Sequence, residues 1–174
     1  MSLIDKALAA VTPIPSQEAR EKATLKARQA ASAGDWLSLA LDHHEQIRTA
    51  FAAGREAKSA PERIAAMKAL ALVLNGHSLA EELVLYPALG QSGEKLHAAQ
   101  AYLEQTTAKA QMAELENIAP SKPAWLDKWG HIEGAVLTHM YEEEGDWFLK
   151  LKEKGENQAR LTARYAEEFE RYVG

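Results

Sequence analysis

Two stretches of this chain repeat one phrase, and the repeat limits what the chain can fold into. The first is His77-Ser-Leu-Ala-Glu81-Glu82-Leu-Val-Leu85-Tyr86-Pro87, and the second is His139-Met-Tyr-Glu-Glu143-Glu144-Gly-Asp-Trp147-Phe148. Both read His-x-x-x-Glu-Glu-x-x-large apolar-aromatic. Each continues an apolar seam: Met67, Leu70 and Leu74 lead to His77, with Val84 beyond Glu81, while Trp129, Ile132 and Val136 lead to His139. Steps of three and four residues keep each series on one face of one helix. The seams begin as ordinary core and turn into imidazole and carboxylate without leaving the buried face. Buried ionisable groups are costly unless paired or bound to metal. A lone His-x-x-x-Glu arises by chance in any Glu-rich helix, whereas two copies with matching flanks predict a paired metal site.

Composition narrows the metal and the fold. The chain has no Cys, so its metal ligands are His, Asp and Glu, which suit iron, manganese or zinc and not a thiolate-bound cluster. Ala, Leu, Glu and Lys dominate and β-branched residues are sparse, which favours helix throughout. At 174 residues the chain is long enough to bury one proper core. A net charge of −5 and the lack of a dense Lys/Arg block argue against a nucleic-acid partner. The first ten residues carry Asp5 and Lys6 and do not resemble a secretory signal. The longest apolar run, Ala69 to Leu74, is far short of the roughly 20 residues that span a bilayer. No membrane association and a soluble, cytoplasmic protein are the expectation.

Taken in order, residues 1–34 read as a helical arm: a short helix over Leu3 to Ala10, breaks at Pro13 and Pro15, then a helix capped by Ser16 and running toward Ala33. The bundle proper is expected over 35–174. Asp35 caps its first helix, whose apolar arc holds Leu37, Leu41, Ile47 and Phe51. His44 falls near the centre of that arc and His43 toward its edge. Ser59-Ala-Pro61-Glu62 reads as a capping box that starts the second helix, which carries His77 and Glu81 and ends at Tyr86-Pro87. A third helix runs from about Glu94 toward Asn117, with His97, Ala101, Ala108, Met112 and Leu115 as its seam. The fourth runs from Ala124 through His139 and Glu143 to a kink or stop at Gly145. Leu161, Tyr165, Phe169 and Tyr172 mark a short last helix lying across the bundle. The fold class is all-α, an up-down-up-down four-helix bundle with an N-terminal helical arm and a short C-terminal helix.

Each core helix offers an imidazole to the interior: His44 or His43, His77, His97 and His139. Two add a carboxylate one turn on, Glu81 and Glu143. The second and fourth helices run the same way, so their phrases are related by a pseudo-two-fold axis. Carboxylates so placed can bridge two metals about 3.5–4 Å apart with imidazoles as terminal ligands. His131 reads as a core histidine or one that supports a ligand. Glu82, Glu142 and Glu144 read as solvated or supporting.

On these residues the chain resembles the hemerythrin-like family, the His-His-Glu cation-binding domains. The matching pieces are Asp42-His43-His44-Glu45-Gln46-Ile47, His77-x-x-x-Glu81-Glu82 with Leu85-Tyr86-Pro87, Glu94-x-x-His97, and His139-x-x-x-Glu143-Glu144, over about Asp35 to Phe148. The resemblance implies a four-helix bundle with a carboxylate-bridged centre of two iron ions that binds oxygen or nitric oxide. It also brings two departures. Hemerythrins proper place a second His on the third helix where this chain has Ala101, which implies an open coordination position or a weaker site. Their acidic ligand on the fourth helix falls at Glu144, one residue after Glu143, and both stay candidates. Other readings are an enzyme acting on peroxide, an iron donor for iron–sulfur repair, and a metal-free helical interaction module, which would leave the buried carboxylates without a role. A ferritin-like site would need Glu-x-x-His on two helices, and only Glu94/His97 fits it.

Overall fold

The computed structural model describes residues 14–174. The helix expected over Leu3 to Ala10 lies outside them. The described residues form helices and the turns between them, with no strand among them. The arm helix α1 (Gln17–Ala30) starts where the Ser16 hydroxyl accepts the Ala19 N–H. Having few large apolar residues, it buries only Ala23 and Ala27.

The first bundle helix, α2 (Trp36–Glu56), is capped by Asp35, whose Oδ1 accepts the Ser38 N–H at 2.8 Å. The second, α3 (Ala60–Ala80), opens on the Ser59/Glu62 capping box with Pro61 in its first turn. It does not end at Tyr86-Pro87. A π-turn (Glu81–Leu85) leads straight into α4 (Tyr86–Gln91). In an uninterrupted α-helix the Pro87 ring would meet the carbonyl four residues back. Here the Tyr86 N–H bonds the Glu81 carbonyl, five residues back, so Pro87 falls in the first turn of a new helical segment.

The third bundle helix, α5 (Lys95–Glu116), follows a turn at Gly93, whose φ of 103° suits glycine. The fourth, α6 (Pro123–Glu142), meets a second π-turn (Glu143–Trp147) and continues as α7 (Phe148–Lys154). The expected kink or stop at Gly145 is therefore a local widening of a helix that goes on. Close approach of α2 and α6 needs Gly54, because a Cβ there would collide with the Trp129 indole. The last helix, α8 (Gln158–Val173), packs along α3 and buries Tyr165.

The four bundle helices run up, down, up, down, and their apolar seams form two separate clusters. Leu37, Leu41, Leu85, Tyr86, Trp147 and Phe148 belong to one, while Ile47, Phe51, Leu70, Leu74, Trp129 and Met140 belong to the other. Along α2, along α3 and its π-turn, and at the π-turn after α6, four buried ionisable residues fall between the two: His44 between Leu41 and Ile47, His77 and Glu81 between Leu74 and Leu85, Glu143 between Met140 and Trp147; His139 lies one turn earlier, between Val136 and Met140 of the second cluster. The polar layer thus has apolar core above and below it.

Candidate metal centre

Three helices aim four side chains at one point in that layer. His44 Nε2 lies 3.2 Å from His77 Nε2 and 3.3 Å from Glu143 Oε2, and His77 Nε2 lies 3.1 Å from Glu81 Oε1. Atoms of His44, His77, Glu81 and Glu143 all fall within 4.8 Å of one another, and all four residues are buried. The outer nitrogens are already committed. His44 Nδ1 is 2.7 Å from Glu144 Oε1, His77 Nδ1 is 2.9 Å from the Tyr165 hydroxyl, and His139 Nδ1 is 2.7 Å from Glu104 Oε2. An outer partner of that kind fixes ring orientation and turns the Nε2 lone pair inward.

The chemistry of this donor set fits a cation. Glu81 Oε1 and Glu143 Oε2 are buried and have no hydrogen-bond partner, a costly state for a carboxylate oxygen. They face two imidazole nitrogens. Bonds of about 2.0 Å in a tetrahedral shell put neighbouring ligand atoms roughly 3.3 Å apart, close to the 3.1–3.3 Å separations found. The other oxygens of the same carboxylates face a second point. Glu143 Oε1 is 3.3 Å from His139 Nε2 and 2.9 Å from the Tyr86 hydroxyl, and Glu81 Oε2 is 3.1 Å from that hydroxyl. Glu81 and Glu143 therefore each present one oxygen to either side, as bridging groups do.

The ionisation of these groups points the same way. Burial pushes His44 down, but the Glu143 and Glu144 carboxylates outweigh it and hold the imidazole above its ordinary value. Burial likewise opposes the charge on His139, and Glu143 and Glu104 raise it well above the usual range. Glu143 is held low despite its burial by His139 and His44, whereas burial and the nearby Glu143 push Glu81 well up. Burial and the neighbouring His44 charge push His77 well down, so the layer holds imidazole and carboxylate groups in mixed states for which a metal ion would compete with protons.

The sequence-predicted residues divide cleanly by position. His44 turns into the centre, while His43 turns toward α8. The His43 Nδ1 lies 3.0 Å from the Tyr165 hydroxyl and its ring stacks on Phe169 at 3.6 Å. Burial, with the neighbouring His44 charge, holds His43 down at about 4, so its ring is neutral. His97 is not brought to the centre. It is partly exposed, 2.9 Å from Glu94, and stacked on Trp147. The residue of α5 at the level of Glu81 is Gln105, eight positions on and about 12 Å further along the axis, whose Nε2 is 2.5 Å from Glu81 Oε2. His131 is exposed and supports no ligand.

Glu144, open as a ligand or a solvated group, is fully buried behind His44, where Arg48 Nη2 at 2.6 Å and the Thr24 hydroxyl of the arm also meet it. Glu143 is the carboxylate that reaches the centre. Sequence reasoning gave no site role to Tyr86, Gln105 or Tyr165. Gln105 could have been found from its place four residues after Ala101 on the same seam.

A cavity of about 410 Å³ lies between α5 and α6, with Leu103, Ala108 and Val136 among its walls and His77, Gln105 and His139 where it meets the polar layer. Among the described residues no helix is long and apolar enough to cross a membrane.

Comparison with known proteins agrees with this geometry. The family model for the hemerythrin HHE cation binding domain matches residues 37–151. A protein of Nostoc sp. (strain PCC 7120 / SAG 25.82 / UTEX 2576), described as a DNA nickase, is 28% identical over 96 residues, which are 55% of this chain and 27% of that protein. The chain thus spans about a quarter of that relative's length. No solved structure matches it.

Proposed function

The chain belongs to the hemerythrin HHE cation-binding domain family, and from that premise we propose that it holds two iron ions in its buried His/Glu layer and binds a small diatomic there, oxygen or nitric oxide. The pair of buried carboxylate oxygens Glu81 Oε1 and Glu143 Oε2 carries this reading, because the groups they meet are nitrogens able to ligate a metal, His77 Nε2 at 3.1 Å and His44 Nε2 at 3.3 Å. His44 and His77 would hold one ion, His139 the other, and Glu81 and Glu143 would span both. A ligand set of imidazole and carboxylate with no thiolate suits non-haem iron. Bound iron supplies one-electron chemistry and exchangeable coordination positions for a diatomic. The chain's own contribution is to hold the ligands still. Glu144, Glu104 and Tyr165 fix the three imidazoles by their outer nitrogens, and apolar clusters pack on either side of the layer.

Elemental analysis of protein grown in iron-replete medium, or reconstituted anaerobically, should find close to two irons per chain. Optical titration of the ferrous protein with oxygen and with nitric oxide should then give saturable spectral changes. Protein that takes up no transition metal by either route would overturn the proposal.

One observation favours a second reading. The cavity of about 410 Å³ reaches His77 and His139 and has the exposed Leu103 and His131 in its lining, which gives a small solute such as hydrogen peroxide access to the layer. Peroxide consumption by a di-iron oxidoreductase would use such a space. Catalytic loss of added hydrogen peroxide by the iron-loaded protein, absent without iron, is the measurement that selects it.

A further inference from the structure

We propose that Tyr86 is a ligand of the second metal ion, its phenolate oxygen standing where the sequence led to a histidine from the third helix. This rests on the two-ion reading above and goes beyond it by naming a donor that the repeated phrase does not contain.

The surroundings of the hydroxyl carry the argument. Tyr86 is buried, and its Oη lies 2.9 Å from Glu143 Oε1, 3.1 Å from Glu81 Oε2 and 3.0 Å from His139 Nε2. Gln105 Nε2 approaches it at 2.5 Å. A phenol has one proton to donate, yet two carboxylate oxygens face it at hydrogen-bond distance, together with an imidazole nitrogen whose ring already meets Glu104 at its other nitrogen. The phenol oxygen thus stands among three donor atoms of the second side, of which Glu81 Oε2 also accepts from Gln105 Nε2 at 2.5 Å. The separations among Tyr86 Oη, Glu143 Oε1, His139 Nε2 and Glu81 Oε2 that the structure gives run from 2.9 to 3.3 Å. They match those among His44, His77, Glu81 and Glu143 on the first side, 3.1 to 3.3 Å. Each side then has four donors, two of them the shared carboxylates.

The two repeated phrases supply an internal comparison. Phe148 occupies in the second phrase the place of Tyr86 in the first. Its ring stacks on His44 at 5.9 Å and brings no donor. The first side does not need one, since it has two imidazoles. The second side has only His139, and there the aromatic residue carries a hydroxyl. Binding is a proton–metal exchange: the Tyr86 O–H bond breaks, the oxygen bonds the ion, and the proton leaves to bulk water. Gln105 Nε2 is placed to donate to the resulting phenolate.

The test is spectroscopic and uses the ferric-loaded full chain. A phenolate on ferric iron gives a visible charge-transfer band, and excitation into it enhances tyrosine ring modes in the resonance Raman spectrum. Wild type should show both at two irons per chain. Tyr86→Phe should lose both, keep one firmly held iron, and bind the second at least about tenfold more weakly, because even changes behind a ligand cost that much. Tyr172→Phe, a change on the exposed side of α8, should keep the wild-type spectrum. Two irons in a wild type without tyrosine modes, or modes that persist in Tyr86→Phe, would overturn the assignment and leave the two-iron reading intact. One iron in wild type without such modes would mean that the hydroxyl fills the second position as a hydrogen-bonding group, and would also overturn it. Failure to take up any iron would overturn the metal reading, and this assignment with it. Should Tyr86→Phe not fold by circular dichroism, the wild-type Raman spectrum with ring-deuterated tyrosine decides whether any tyrosine binds. Tyr102→Phe, Tyr141→Phe and Tyr165→Phe then assign the residue by elimination, since a band lost in any of them would overturn the claim for Tyr86.

Discussion

His43 and His44 are adjacent in sequence and about 100° apart around the helix, and that angle separates their roles. His44 Nε2 faces His77 and Glu143, whereas His43 faces Tyr165 and Phe169 on α8. His44→Ala should therefore lose most of the iron, as should His77→Ala and His139→Ala, while far-ultraviolet circular dichroism stays helical. His43→Ala should keep the iron and lower the melting temperature, since it removes a stacked ring and one partner of Tyr165. Elemental analysis beside a melting curve separates the two effects. Iron retained in His44→Ala and lost in His43→Ala would reverse the assignment. The same logic explains why Glu143, and not Glu144, reaches the centre. It follows Glu143 by one residue, so it points around the helix to Arg48 and to the outer nitrogen of His44.

Helix ends and helix interruptions decide where those side chains go. Asp35 ties three things together: its oxygens accept the Ser38 N–H at 2.8 Å, the Ser32 N–H at 2.7 Å and the Lys152 ammonium at 2.7 Å. Asp35→Ala should cost about 1–2 kcal/mol, the range for loss of a strong cap, read by urea denaturation. Burial raises the Asp35 pKa, but Lys152 and the Ser38 and Ser32 N–H groups outweigh it and hold the carboxyl below its ordinary 3.8. The folded state thus binds fewer protons at this group than the unfolded chain. Its contribution is present above 3.8 and is lost as pH falls through that value toward the folded pKa. The gap between wild type and Asp35→Ala should accordingly shrink in acid.

The π-turns act at the same scale. In an α-helix the residue one turn beyond Glu81 is Leu85; the extra residue of the π-turn brings Tyr86 to that place, with its N–H on the Glu81 carbonyl. In the sequence Pro87 reads as the end of the helix, which takes Tyr86 out of the seam. No residue type between Glu81 and Leu85 announces a π-turn, although such turns recur at functional sites.

Among the described residues, apolar clusters pack on both sides of the polar layer. Metal removal should leave the bundle helical and lower its stability by mass action, about 2.7 kcal/mol relative to free metal at a hundred times the dissociation constant. In a chain of this length each kcal/mol moves the melting temperature by roughly 2–4 °C. Calorimetry before and after chelation should therefore show a shift of several degrees with one cooperative transition. Unfolding on chelation, as in small zinc modules, would show that the apolar clusters cannot hold the fold alone. The arm and the last helix also reach the layer, through Thr24 on Glu144 and through Tyr165 on His77 and His43. Neither contact has a sequence signal, because each joins residues scores of positions apart through one hydroxyl.

The sequence by itself determined the helices, their caps, the buried seams and the two His-x-x-x-Glu phrases, because these are local: periodicity, capping chemistry and spacing act within a few turns. It thereby placed His44, His77, Glu81, His139 and Glu143 on core faces. Only the tertiary structure decided which neighbours meet them. The axial level of α5 is set by packing between helices and by the turn at Gly93, so that helix presents Gln105, and not His97, to the carboxylates. The choice of His44 over His43, of Glu143 over Glu144, and the entry of Tyr86 into the layer follow from rotation about the helix axis. A rotation of one residue, about 100°, is finer than an apolar arc can specify and is fixed only when the four helices close on one another.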